Sequence, residues 1–220
     1  MNVAETWKRV RQKVDLWSGR ATKRTLQTLE TGSDRERANA LRLLHDLPLS
    51  PRDVSALLNL MDHVDAFVRR DIGDMLLARR PKDLLGACLR RVQRSEPAGG
   101  LAETIRILGE IADPRAVPAI IPHAQHPSVE VRVTLADALA HFPDETKARD
   151  TLALLLKDEH PVVRRATIWA LKRIRAEWSQ ALLDYHAGQE TELWIKRIME
   201  PPATDNALNS VNSQGVSHAH

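Results

Sequence analysis

Arg37, Arg69, Arg132 and Arg164 recur at intervals of 32, 63 and 32 residues, and Leu44, Leu76, Leu108, Leu139 and Leu171 follow at 32, 32, 31 and 32. A chain that repeats itself on this scale, with two helix patterns per period, buries the apolar face of each unit against its neighbours rather than in one central core, which is the mark of an α-solenoid. One arginine is missing from the series. Between Arg69 and Arg132 its place falls at Gly100 and Leu101, after the loop Arg-Ser-Glu-Pro-Ala-Gly-Gly, so the third unit is the irregular one and the expected site of a bend or a local change in the superhelix.

The clearest unit begins at Asp113. Val117, Ile120, Ile121 and Ala124 recur at i, i+3, i+4 and i+7, which predicts a first helix that Pro114 opens, where its missing N–H costs nothing. Val131, Leu135, Ala138, Leu139 and Phe142 form the stripe of a second helix. Pro51, Val54, Leu57, Leu58 and Val68 copy this register 63 residues earlier, and Val163, Ala166, Ala170, Leu171 and Ile174 repeat the second stripe one unit later. Second helices are predicted over 34–46, 66–79, 100–111, 128–142 and 161–175. The expected fold is all-α, a solenoid of about five helical hairpins over 33–175. A basic amphipathic capping helix is expected over 1–32 and capping helices over 176–200, read as two short helices around Gly188 with Leu182, Leu183, Leu193, Trp194 and Ile198 apolar. Residues 201–220, polar and opened by Pro201 and Pro202, are expected to be a disordered tail, on which His218 and His220 make no convincing metal site.

The strings Asp-Pro-Arg-Ala-Val-Pro-Ala-Ile-Ile from Asp113, His-Pro-Ser-Val-Glu-Val-Arg from His126 and Asp-Glu-His-Pro-Val-Val-Arg-Arg from Asp158 resemble the HEAT-like repeats of the phycobilisome-lyase type. The resemblance covers roughly residues 33–175. It implies a right-handed superhelix in which the first helix of each pair is convex, the second lines the concave side, and the arginine column bonds to loop acids such as Asp158. For function it implies a scaffold or adaptor, or a chromophore-lyase or chaperone subunit holding a tetrapyrrole or its acceptor protein in the groove.

Composition narrows the field. With 43% apolar but only 4% aromatic residues, the packing is of small aliphatic side chains. Cys88 is alone, which excludes an internal disulfide, no stretch has the length of a membrane span, and charges stand where a signal peptide is apolar; a cytoplasmic protein is expected. The net charge of +3 divides into +5 over residues 1–24 and −2 over the rest, so the repeats are not the continuous basic surface that binds phosphates.

Relative to the arginine anchors, Arg42, Asp74, Arg106, Asp137 and Trp169 form one solvent-facing column of the second helices. Ala38, Arg70, Ala102, Val133 and Arg165 form another, and Lys172 and Arg173 lie beside its end. Alternating signs around an aromatic anchor suit a protein partner better than a polyanion. Arg42, Arg70, Asp74, Arg106, Asp137, Arg165, Trp169 and Arg173 are therefore the candidate partner-binding residues, weighed against inter-repeat salt bridges and, for Trp169, against packing on a cap that contains Trp178 and Trp194. At the other end Val3, Trp7, Val10, Val14, Trp17 and Ala21 make an apolar seam amid basic residues. The seam reads as a cap, with Trp7, Lys8, Arg9, Arg11, Lys13 and Trp17 as alternative contacts to an acidic partner or a membrane surface.

Catalytic signatures are missing: there is no phosphate loop, nucleophile elbow, His-Glu-x-x-His helix or Cys-x-x-Cys pair, and none of the His-Glu dipeptides of HEAT-like di-iron hydroxylases. His126-Pro127 and His160-Pro161 read as helix starts rather than metal ligands. A HEAT-like DNA glycosylase would have only Trp169 and Asp137 to offer, in a groove of alternating charge. The expectation is a non-enzymatic interaction scaffold without cofactor or metal, a monomer or part of a hetero-complex, with a protein rather than a nucleic acid as partner.

Overall fold

The computed structural model describes residues 23–94 and 97–199, and every regular element among them is helical. Helical residues 23–31 (α1) lead into α2 (Asp34–Asp46), α3 (Pro51–Leu60), α4 (Ala66–Arg79), α5 (Leu84–Arg91) and α6 (Ala98–Ile111). After a broken segment containing α7 (Val117–Ile120) come α8 (Val129–Leu139), α9 (Thr146–Leu155), α10 (Pro161–Ile174), α11 (Glu177–Ala187) and α12 (Leu193–Met199).

Helix starts follow local chemistry. Ser33 and Glu36, and Ser50 and Asp53, close reciprocal capping boxes on α2 and α3. Asp65 accepts from Phe67 N and Val68 N at 3.0 Å to start α4. His160 Nδ1 accepts from Val162 N at 3.3 Å and caps α10, while His126 Nδ1 accepts at 3.1 Å from the N–H of Ser128, the residue before α8. At the other ends, α4, α6 and α10 stop at Arg80, Ala112 and Arg175, all in the left-handed region that glycine ordinarily occupies.

The helices stack in two layers. In one, α2 packs on α4, α4 on α6, α6 on α8, α8 on α10 and α10 on α12; in the other α3 packs on α5, and the α7 segment on α9. One continuous apolar ribbon from Leu29 to Met199 fills the space between them. The leucine column Leu44, Leu76, Leu108, Leu139 and Leu171 lies within it, completely buried. At about 1.5–3 kcal/mol for each such side chain, this repeated burial is what holds unit to unit. The layer of second helices, expected to be the concave one, holds the tightest pair of the stack, α6 on α8. Small residues allow it: a Cβ on Gly109 would lie 2.8 Å from Ala138 Cα, a distance that leaves no room for a side chain between α6 and α8.

Three expectations are corrected. The first helix of the unit at Asp113 is not one helix but a 3-10 turn (Pro114–Ala116), the single turn α7, and a second 3-10 stretch (Ile121–Gln125). Pro118 and Pro122 interrupt the ladder of backbone N–H donors there, although Val117, Ile120 and Ala124 still point inward. The third second helix starts at Ala98, two residues early, and the fourth stops at Leu139. At the C-terminus, Ile195 and Met199 of α12 are the buried residues, while Leu193 and Trp194 face outward.

Candidate protein-binding surface

Three of the four column arginines, Arg37, Arg132 and Arg164, tie successive units together. Arg132 donates to His126 O at 2.7 Å in the loop before its own helix, and to both carboxylate oxygens of Asp158, at 2.8 and 3.0 Å, in the next. Arg164 repeats the pattern on Asp158 O and on both oxygens of Glu190, and Arg37 on Glu30 O and Asp65. Arg69 donates to Met61 O at 2.9 Å and Val64 O at 3.2 Å. The bidentate geometry of a guanidinium on a carboxylate explains why arginine, rather than lysine, fills the column. Burial works to raise the Glu190 carboxyl, but the Arg164 guanidinium and the backbone N–H groups of Glu192 and Thr191 outweigh it and hold the group at about 2.

The third unit replaces this device. With Gly100 and Leu101 at the column's place, a guanidinium comes instead from Arg91 on the first helix of the pair; it is 4% exposed, donates to Leu58 O at 3.1 Å and pairs with Asp62. A Cβ at Gly100 would lie 2.0 Å from Asp62 Oδ1 and 2.5 Å from Arg91 Nη2, so the glycine is what makes space for the substituted pair. Gly99 does the same for Arg69, whose Nη1 would be 2.3 Å from an added Cβ.

On the inner layer, α4 and α6 neutralise one another. Arg106 bonds to Asp74 Oδ1 at 2.7 Å and to Glu103 Oε1 through Nε at 2.9 Å, and Arg70 stands 3.5 Å from Asp74. Glu103 is buried, its carboxylate lying where a side chain on Gly73 would be. Burial pushes the Glu103 carboxyl up against the opposing pull of Arg106. The cleft left between α4, α6 and α8 measures about 200 Å³ and is bounded by Arg69, Arg70, Glu103, Arg106 and Glu130. Of the sequence-predicted residues, Arg70, Asp74 and Arg106 therefore share one salt-bridged cluster, as does the pair Asp137 and Arg173, with Arg173 Nη2 donating to Asp137 O at 2.7 Å. Arg42 is exposed and reaches only Asn39, at 3.4 Å.

The α10–α12 end is different. Trp169, at the centre of the exposed face of α10, is 53% exposed and is not buried against either tryptophan of the C-terminal helices. Lys172 Nζ lies over its ring at 5.9 Å and donates to Ile198 O. Arg165, one turn before Trp169, stacks 5.7 Å from the ring of Trp194, which is itself 41% exposed, while Trp178 faces Arg149 on the other layer at 5.0 Å. Leu193, 78% exposed, extends the apolar area. Trp7, Lys8, Arg9, Arg11, Lys13 and Trp17 lie outside the described residues.

Two parts of this surface are invisible in sequence patterns. Arg91 and Asp62 break the repeat rather than follow it; the only signal is the pair Gly100-Leu101 where an arginine belongs. Glu103 lies on a column of otherwise unremarkable positions, and only Gly73, 30 residues earlier, hints at the room made for it.

The model of the HEAT repeats matches the chain over residues 84–172 and, overlapping, over 121–197, more than half of the sequence. The chain belongs to the HEAT-repeat family. No curated protein matches it. The family match includes the Arg132–Asp158 and Arg164–Glu190 ties and begins at the first helix of the irregular unit, while the two-layer stack, with the Arg37–Asp65 tie, continues on its N-terminal side through α4, α3 and α2. Among the described residues, no helix is long and apolar enough to cross a membrane.

Proposed function

We propose that this HEAT-repeat protein is a non-catalytic scaffold or adaptor that binds a partner protein on its inner, concave layer of helices. The observation that carries the reading is the half-exposed Trp169 on α10, with Lys172 over its ring and, one helical turn away, Arg165 over Trp194, on a surface already held in shape by buried leucines and arginine ties. A large indole left in water on a rigid helix is the type of anchor that dominates protein interfaces, and a preformed surface lowers the entropic cost of binding. Cys88, buried and pushed up to about 12 chiefly by burial, is a poor nucleophile, which supports a non-enzymatic role. The small central cleft, lined by paired charges, favours a protein surface over the tetrapyrrole site that the phycobilisome-lyase likeness would suggest.

The test is affinity capture from native extract with wild type and with Trp169→Ala, Arg165→Ala as bait. One protein lost with the variant, at unchanged thermal unfolding, is the expected result; a coloured small molecule co-purifying in place of a protein would favour the lyase-type subunit.

A further inference from the structure

The inner layer carries its charge in two ways, and the difference specifies the partner's chemistry. On α4 and α6, Arg70 and Arg106 are matched by Asp74 and Glu103. On α10 and α12 there is no Asp or Glu at all, against Arg164, Arg165, Lys172, Arg173, Lys196 and Arg197. Glu190 takes Arg164 and Asp137 takes Arg173. Arg165, Lys172, Lys196 and Arg197 have no described carboxylate within 4.0 Å.

We infer that the segment seated on α10 and α12 is a carboxylate-rich stretch of a partner protein with apolar side chains between its acids, the apolar groups resting on Trp169, Trp194 and Leu193 and the acids meeting Arg165, Lys172 and Arg197. The inference rests on the adaptor reading and deepens it.

Geometry favours this chemistry. A guanidinium held near an indole face is attracted to the ring while its N–H donors stay available to a carboxylate, which can take two of them; the Arg165 guanidinium carbon lies 5.7 Å from the Trp194 ring centroid. Lys172 adds a point charge beside the exposed ring of Trp169. A single-stranded nucleic acid also uses rings and cations, but it needs a basic track that follows its backbone. Here the cations end at Asp137 on α8 and at the neutralised α4–α6 cluster, and exposed Leu193 offers an aliphatic contact rather than a stacking surface.

The test uses the full chain and fluorescence anisotropy with three labelled probes: a peptide alternating Glu or Asp with Leu and Phe, the same peptide with Gln and Asn in place of its acids, and an oligothymidylate strand. The acidic peptide is expected to bind, to weaken as salt rises through the range where the screening length falls below about 10 Å, and to bind at least about tenfold more tightly than its amide counterpart. Trp169→Ala and Arg165→Gln should each weaken it about tenfold, while Arg115→Gln, in the separate exposed pair with Asp113, leaves it unchanged. Lack of binding, equal binding of the amide peptide, or tighter binding of oligothymidylate would overturn the inference. Should native capture still yield a partner sensitive to Trp169→Ala while the acidic peptide fails to bind, the adaptor reading stands and the acidic segment falls.

Discussion

The third unit and the two that follow it solve the same mechanical problem with different parts. In the later units a single arginine on the second helix reaches back to the carbonyls of one loop and forward to an acid of the next, Arg132 to Asp158 and Arg164 to Glu190. In the third, Gly100 and Leu101 stand in that place and Arg91 approaches from the first helix to meet Asp62. What a repeat conserves in such a stack is thus a buried guanidinium–carboxylate pair between neighbouring units, not the residue that supplies it. The same contrast runs along the inner surface, where the central helices consume their own charges and the C-terminal ones present theirs.

The largest expected effect comes from breaking a regular tie. Asp158→Ala leaves the buried Arg132 guanidinium with loop carbonyls and only the exposed Glu159 carboxylate at 4.0 Å, and should cost about 3–5 kcal/mol, read as a loss in chemical denaturation. Gly100→Ala should destabilise the irregular unit by about 1–3 kcal/mol, because its Cβ displaces the Asp62–Arg91 pair; an Ala at Gly86, on the first helix of the same pair and facing flexible side chains, serves as the control. If Gly100→Ala is neutral, the substituted pair is not holding the third unit.

Acid separates the two regions by sign. Glu190, held at about 2 when folded against an ordinary 4.5, contributes stability that is complete above 4.5 and is lost as pH falls from 4.5 towards 2. Glu103, raised by burial, does the opposite: its protonation begins above 4.5 in the folded protein, so acidification to that point relieves the cost of burying its charge. Glu190→Gln should therefore flatten the acid limb of a stability–pH curve, and Glu103→Gln should flatten the rise that precedes it. Smaller still, Ala112→Gly should stabilise by about 1 kcal/mol by relieving a left-handed alanine at the end of α6. Trp169→Ala, on the exposed face of α10, should shift unfolding by less than about 0.5 kcal/mol.

Much of the fold is legible in the sequence because it repeats. The leucine and arginine columns place all five second helices to within three residues of their observed ends, and the Asp158 contact follows from the resemblance to HEAT-like repeats. What escapes is whatever occurs once. Pro118 and Pro122 sit on an otherwise regular apolar stripe, so periodicity alone predicts a helix that missing N–H donors then break. Helix α12 has seven residues, too few for a stripe to distinguish outward Leu193 and Trp194 from buried Ile195 and Met199. On the candidate surface, the column pattern finds Arg70, Asp74, Arg106, Arg165 and Trp169 but cannot tell which of them bond to one another. That depends on distances across helices, and it is what separates the neutralised centre from the open C-terminal end.

The most direct test of the account is amide hydrogen exchange on the full chain, alone and with the partner recovered by native capture. Binding to the C-terminal inner surface predicts new protection across α10 and α12, with α4 and α6 exchanging as before. Protection confined to α4 and α6, or to the outer helices α3, α5 and α9, would contradict it.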